Sequence, residues 1–270
     1  MDELHEKMDA LRSCLKELES IAVAFSAGID STFLLKTAHD TLGSRVIAIT
    51  SCSRFFPARE QKAAETFCQK EGIPHFIVES DELEISGFRE NPPERCYLCK
   101  HALFSRILQT AAAEGARYVA EGSNLDDLDD YRPGMSAIAE LGVKSPLLQA
   151  ELTKADIRAL AREMGLPVWD KPSFACLATR FVYGERITEE KLSMVDRAEQ
   201  RLLDLGFHQV RVRIHDRTAR IEIHPSEFQR IIQPELSGPL SRYLHELGFL
   251  YVALDLDGYR TGSMNRMLDI

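Results

Sequence analysis

The sequence predicts an α/β protein, a parallel sheet covered by helices on both faces, followed by a smaller α+β domain. Three observations predict it. From Leu4 to Met164, short apolar runs alternate with stretches of helical period. The first of these runs ends in a loop of Ser, Gly and Asp residues that opens a helix. From Thr188 onward, helical and extended patterns come in groups rather than in alternation.

Taken in order, Leu4, Met8, Leu11, Leu15 and Leu18 share one helical face over residues 3–19, and Ile21-Ala22-Val23-Ala24-Phe25 is short enough and apolar enough for a buried strand. Val46-Ile47-Ala48-Ile49, Phe76-Ile77-Val78 and Tyr118-Val119-Ala120 repeat the strand signal. Helical stretches near 31–42, 57–71 and 100–114 separate them, and another lies near 153–164. Strands joined by helices need crossovers, so the sheet is parallel and buried on both faces. The stretch Trp169 to Ile187 holds Pro172 and Gly184 and has little periodicity. This places a first domain over 1–170, an active-site linker over 171–187 and an α+β domain over 188–270. The last carries a helix at 188–205, strands at 210–214 and 219–223, helical segments between 226 and 247, and a strand at 249–254.

A chain of 270 residues with 44% hydrophobic content can bury a sizeable core. Its formal charge of −9 opposes sequence-independent attraction to a phosphate backbone, so no nucleic-acid partner is expected. No stretch reaches the roughly 20 apolar residues of a membrane span, and the start Met1-Asp2-Glu3-Leu4-His5-Glu6 is unlike a secretory signal. A cytoplasmic protein with no membrane association is expected. Six cysteines in such a chain are better explained by reduced thiols, metal ligation or catalysis than by a disulfide scaffold.

Ligands of parallel sheets collect at the carboxyl ends of the strands, where Ser26, Ser51 and Gly122 fall. Ser26-Ala27-Gly28-Ile29-Asp30-Ser31 follows a strand and precedes a helix, so backbone N–H groups and the positive helix end converge on one point, as pyrophosphate binding requires. The bland alternative is a strand-turn-helix with Ser and Asp as turn and cap residues. Glu121-Gly122-Ser123-Asn124-Leu125-Asp126-Asp127 is a second such loop, whose Asp126 and Asp127 would hold Mg2+ on a polyphosphate. Alone it reads as an acidic capping loop; beside Ser26 the balance reverses.

The first loop resembles the Ser-Gly-Gly-x-Asp-Ser loop of the PP-loop ATP pyrophosphatases, which leave AMP on their substrate, with Ala27 standing for the second residue. Together with Asp130-Tyr131-Arg132-Pro133-Gly134, Arg180-Phe181, Tyr183-Gly184, Val210-Arg211-Val212-Arg213 and Leu254-Asp255 through Gly258-Tyr259-Arg260-Thr261-Gly262, it makes the chain similar to the LarE family. These are ATP-dependent sulfurtransferases that make the pyridinium thiocarboxylate mononucleotide of a nickel-pincer cofactor. The resemblance implies adenylation of a carboxylate on a phosphorylated pyridinium substrate, sulfur delivery and release of AMP, with ATP and Mg2+ as cofactors. It makes Asp30 and Cys176 catalytic. Arg211 and Arg213, alternate residues of one predicted strand and so on one face, would grip the substrate phosphate, with Arg180 and Glu227 nearby.

Two sulfur routes stay open. In one, resembling the tRNA 2-thiolation enzymes, Cys96, Cys99 and Cys176 hold three irons of a 4Fe-4S cluster whose fourth iron carries hydrosulfide. In the other, Cys176 is sacrificed and becomes dehydroalanine. A redox or zinc pair at Cys96 and Cys99, with His101 as a further ligand, ranks behind both. Cys14, Cys52 and Cys68 read as buried small hydrophobes. Rival functions are a tRNA thiolase, an amide-forming synthetase and an ATP sensor without turnover. Homo-oligomerisation and a sulfide or sulfur-donor partner are left open.

Overall fold

A computed structural model describes residues 3–129, 133–172 and 175–260. Asp130, Tyr131 and Arg132, and Thr261 with Gly262, of the segments quoted above lie outside the described residues. The chain divides into two compact units, one formed by residues 1–82 and 96–174, the other by 83–95 and 175–270.

The first unit runs α1 (Glu3–Leu18), β1 (Ile21–Ala24), α2 (Ile29–Leu42), β2 (Val46–Cys52), α3 (Ala58–Glu71), β3 (His75–Glu79), α4 (Arg95–Ala113), β4 (Tyr118–Ala120), α5 (Gly134–Glu140), α6 (Pro146–Gln149) and α7 (Lys154–Glu163). Its four strands pair in the order β3-β2-β1-β4, all parallel, with Val23 beside Ala48 on one side and Ala120 on the other. Alternation along β1 divides the core. Ile21 and Val23 pack with Leu11, Leu15, Phe33, Leu34 and Leu160, whereas Ala22 packs with Ile49, Phe104, Ile107, Val119 and Ile138. Both faces are therefore apolar, which is why the strands read as unbroken hydrophobic runs.

Three features differ from the sequence expectation. The fourth long helix starts at Arg95 rather than near residue 100, so Cys96 and Cys99 lie on its first turns. β2 continues to Cys52, because Ser51 and Cys52 still pair with Val78 and Glu79. α5 and α6, at seven and four residues, are too short to show a helical period.

The second unit holds α8 (Glu189–Asp204), β5 (Val210–His215), β6 (Thr218–Ile223), α9 (Phe228–Ile231), α10 (Pro234–Glu246) and β7 (Tyr251–Leu254). β5 and β6 are antiparallel, and β7 joins β6 in parallel. The predicted strand at 249–254 begins only at Tyr251, since the Phe249 N–H still closes the end of α10 on the Leu244 carbonyl. Residues 83–95 belong here although they precede the unit in sequence. Asn91 Nδ2 donates to the Val182 carbonyl at 2.6 Å, the Gly184 and Ile187 amides donate to the Asn91 and Arg89 carbonyls, and Arg95 donates to the Ala178 carbonyl. Such long-range hydrogen bonds leave no periodic trace in a sequence.

Candidate active site

Because the sheet of the first unit is parallel, the carboxyl ends of its strands share one edge, and the loops after β1, β2 and β4 emerge there. Phe25 still belongs to the sheet, its N–H on the Ile49 carbonyl and its own carbonyl on Thr50 Oγ1. The loop then folds around one hydroxyl. Ser31 Oγ accepts from the Ser26 N–H at 3.3 Å, lies 3.0 Å from Ser26 Oγ and donates to the Gly28 carbonyl. The Thr32 N–H takes the same carbonyl and starts α2. The amides of Ile29, Asp30 and Ser31 precede the first intrahelical bond and point out of the positive helix end.

The residue in the left-handed conformation is Ala27, at φ +53°, not Gly28, which sits at φ −75°, ψ 164°. The left-handed conformation thus falls on the residue that departs from the Ser-Gly-Gly-x-Asp-Ser pattern, an alanine that tolerates it poorly. Two lysines adjoin this loop that sequence reasoning missed. Lys171 Nζ donates to the Ala27 carbonyl at 3.0 Å and to Glu60 Oε2 at 2.7 Å. Lys154 Nζ is paired with Asp30 Oδ2, while Asn124 Nδ2 donates to Asp30 Oδ1 at 3.3 Å. The capping box of Thr153 and Asp156 does mark Lys154 as the first residue of α7. Nothing local ties it to a partner 124 positions away.

Gly122 lies directly against this loop. A Cβ there would meet Ser31 N at 3.1 Å and the Asp30 carbonyl carbon at 3.2 Å, so its bare backbone is a packing requirement. Beyond it, Asp127 Oδ2 accepts the Asn124 N–H and Asp126 Oδ2 accepts the Lys154 N–H, the capping roles weighed above. Lys154 therefore meets Asp126 through its backbone and Asp30 through its ammonium. Oxygen donors of this kind suit a hard cation such as Mg2+. Ser51 Oγ lies 2.8 Å from Ser80 Oγ, which donates to buried Glu82; burial raises the Glu82 carboxyl above its ordinary range.

The second unit concentrates charge on one sheet face. Arg211 and Arg213 do point the same way, and β6 sets Glu222 across from Arg211 and Arg220 across from Arg213. Arg213 grips Glu222 in a two-pronged pair at 3.1 and 3.0 Å. Arg180, with no exposed surface, makes the same pair with Glu199 of α8 at 2.7 and 2.8 Å. Its remaining nitrogen donates to the Ala175 and Cys176 carbonyls and to Thr179 Oγ1. Arg180 thus braces the turn that carries Cys176. Glu199 also accepts the Val212 N–H at 3.0 Å. Burial opposes charge on both partners, yet their attraction wins, leaving Arg180 above and Glu199 below their ordinary pKa values.

Arg211 is different. Burial first, then repulsion from Arg180, pushes its pKa down to about 10. Its Nη1 donates to the Val210 carbonyl, and its guanidinium lies 5.1 Å from the centre of the Tyr259 ring. Gly258, at φ +69° with the Ile223 carbonyl 2.8 Å from where a Cβ would stand, makes the turn that delivers Tyr259. Among the described residues of this unit, Glu199 and Glu222 are buried beside the guanidiniums of Arg180, Arg211 and Arg213. Glu227 pairs with Arg230, at 3.5 Å.

All six cysteines are free thiols. Cys176 is exposed, and its Sγ accepts the Ala178 N–H at 3.4 Å. Cys96 and Cys99, three residues apart on α4, share a helical face and are partly exposed. Among the described residues no group of three or more His, Cys, Asp or Glu side chains forms a metal site. Cys68 fits a buried hydrophobe, its thiol pushed up to about 12 by burial. Cys14 and Cys52 are only partly buried, and their thiols donate to Gln149 and Gln61.

A parallel sheet whose first strand runs through a Ser/Asp/Ser loop into a helix, with acidic residues after the fourth strand, defines a PP-loop ATP pyrophosphatase, a class of ATP-using enzymes. No family model matches the chain. It is 43% identical over 265 residues to an uncharacterised protein of Synechocystis sp., covering 98% of this chain and 99% of that one. It is 38% identical over 269 residues to the pyridinium-3,5-bisthiocarboxylic acid mononucleotide synthase of Lactiplantibacillus plantarum, covering 99% and 97% of the two chains. A tRNA-specific 2-thiouridylase of Xanthobacter autotrophicus is 33% identical over 134 residues, 37% of this chain and 33% of that one. The chain belongs to the pyridinium-3,5-bisthiocarboxylic acid mononucleotide synthase family, LarE.

Proposed function

We propose that this enzyme uses ATP to adenylate a carboxylate of a pyridinium biscarboxylate mononucleotide and replaces oxygen by sulfur, releasing pyrophosphate and AMP. The observation that carries the substrate class is Arg211. It is buried, shares one sheet face with Arg213, and is depressed to about 10 by burial and by repulsion from Arg180. A phosphate monoester would offset this crowding of positive charge, and paired guanidiniums suit its geometry.

In this reading Ser26, Ser31 and the amides from Gly28 to Ser31 hold the pyrophosphate end of ATP. Ser51 borders the nucleotide, and Asp30 and Asp126, with Asp127 behind them, hold Mg2+, which neutralises charge on the phosphates. Arg211 and Arg213 hold the substrate phosphate, and Arg180 keeps the Cys176 turn in place. The partner is a small molecule, and six free thiols suit the reducing cytoplasm.

For sulfur, the donor set of Cys96, Cys99 and Cys176 fits a 4Fe-4S cluster by its chemistry, three thiolates with one iron left for sulfide. The exposure of Cys176 on a turn braced by Arg180 favours a second reading. There the Cys176 thiolate attacks the acyl adenylate and displaces AMP. Loss of the Cα proton then breaks the Cβ–S bond, leaving thiocarboxylate on the product and dehydroalanine in the chain. Mass spectrometry after one round with ATP and the mononucleotide tests both. A loss of about 34 Da at Cys176, one hydrogen sulfide, marks the sacrificial route. Intact Cys176, several products per chain, and iron with acid-labile sulfide in anaerobically purified protein mark the cluster. ATP binding without AMP release in the presence of substrate would overturn both in favour of a sensor.

A further inference from the structure

We propose that Lys171 is a positioning residue of the phosphate loop, holding the Ala27 carbonyl so that the Gly28 N–H faces the pyrophosphate. The inference rests on the reading of this loop as the ATP site. In a trans peptide the C=O and the following N–H point in opposite directions, and no cis peptide occurs among the described residues. Whatever pins the Ala27 carbonyl therefore aims the Gly28 amide. Lys171 Nζ does so at 3.0 Å.

Its own placement is over-determined. The ammonium also pairs at 2.7 Å with Glu60, a nearly buried carboxylate of α3. Arg158 fixes the backbone by donating to the Trp169 and Lys171 carbonyls at 2.6 and 2.9 Å. The conformation being held is one an L residue disfavours, Ala27 at φ +53°. A glycine at this position would keep it unaided. Alanine left to itself relaxes by rotating the Ala27–Gly28 peptide, which carries the Gly28 N–H away from the helix end where the other loop amides converge. Lys171 supplies the restraint that the absent glycine would otherwise make unnecessary.

A suppressor experiment tests this. Lys171→Met is combined with Glu60→Gln, so that no unpaired carboxylate is buried, and binding of α,β-methylene-ATP with Mg2+ is measured in the full chain alongside thermal melting. The double variant should melt close to the wild type yet bind the analogue about tenfold more weakly, the loss of one charge-assisted contact. Glu60→Gln alone should bind normally, and adding Ala27→Gly should recover most of the loss. Unchanged binding in the double variant, or a loss already complete in Glu60→Gln, overturns the proposal. So does a loss that Ala27→Gly fails to recover, which would make Lys171 a direct phosphate ligand. If the double variant does not fold, Lys171→Gln, which keeps a donor for Glu60, is read in the same way with and without Ala27→Gly. A wild type that binds no ATP analogue overturns the ATP reading of the loop itself, and this inference with it.

Discussion

Arg211→Met should leave the protein at least as stable and make it less able to bind its substrate. Holding Arg211 at about 10, well below the ordinary guanidinium range, corresponds to about 3 kcal/mol of strain on its charge at neutral pH. Methionine removes that cost and fills most of the same volume. Set against it are the contact with the Tyr259 ring, about 1 to 2 kcal/mol when desolvated, and the bond to the Val210 carbonyl, about 1 kcal/mol. The balance is a gain of about 0 to 1 kcal/mol, at most roughly 2 to 4 °C in the melting transition. The penalty is present in full below pH 10 and fades as pH rises from about 10 toward the ordinary guanidinium value, because the folded chain sheds this proton first. The paired assay is calorimetric titration with the pyridinium mononucleotide and with its nucleoside. The wild type should prefer the phosphorylated form and Arg211→Met should lose that preference. A variant that melts below the wild type and still prefers the mononucleotide would refute the argument that this charge is stored for a phosphate.

Asp30→Ala should abolish AMP formation with little change in secondary structure by circular dichroism, since it removes a polar loop group and no core volume; undiminished AMP release would remove the loop from the chemistry. Glu199→Gln should destabilise the second unit by about 3 to 5 kcal/mol, because Arg180 and Arg211 lose a wholly buried counter-charge. The same carboxylate has a depressed folded pKa, so its contribution holds above the ordinary glutamate range near about 4.3 and is lost as pH falls through the folded value. Acid melting curves of wild type and variant should therefore converge at low pH. Gly122→Ala should weaken ATP binding several-fold while Gly115→Ala leaves it unchanged, because only the first would press a Cβ on Ser31 N and the Asp30 carbonyl carbon; equal ATP affinities in the two variants would count against the close approach.

The four strands of the first unit, the loop at Ser26 and the alternation of Arg211 with Arg213 could be read from residues alone, because each is a local pattern. A buried parallel strand shows as an apolar run, a helix entrance as Ser, Gly and Asp, and a shared sheet face as alternation. The comparison with the Ser-Gly-Gly-x-Asp-Ser loop marks Ala27 as the departure, and the folded loop gives that residue a positive φ. Whatever depends on residues far apart in sequence was decided by tertiary structure. Lys154 meets Asp30 and Lys171 meets Ala27 across more than a hundred positions, and neither lysine has a local signature. The gathering of three buried guanidiniums around Glu199 and Glu222 exists only once α8, β5, β6 and the turn at Leu177–Arg180 are packed together. A sequence records which charges are present. Their pairing follows from burial, where every ion must find a partner or shift its pKa.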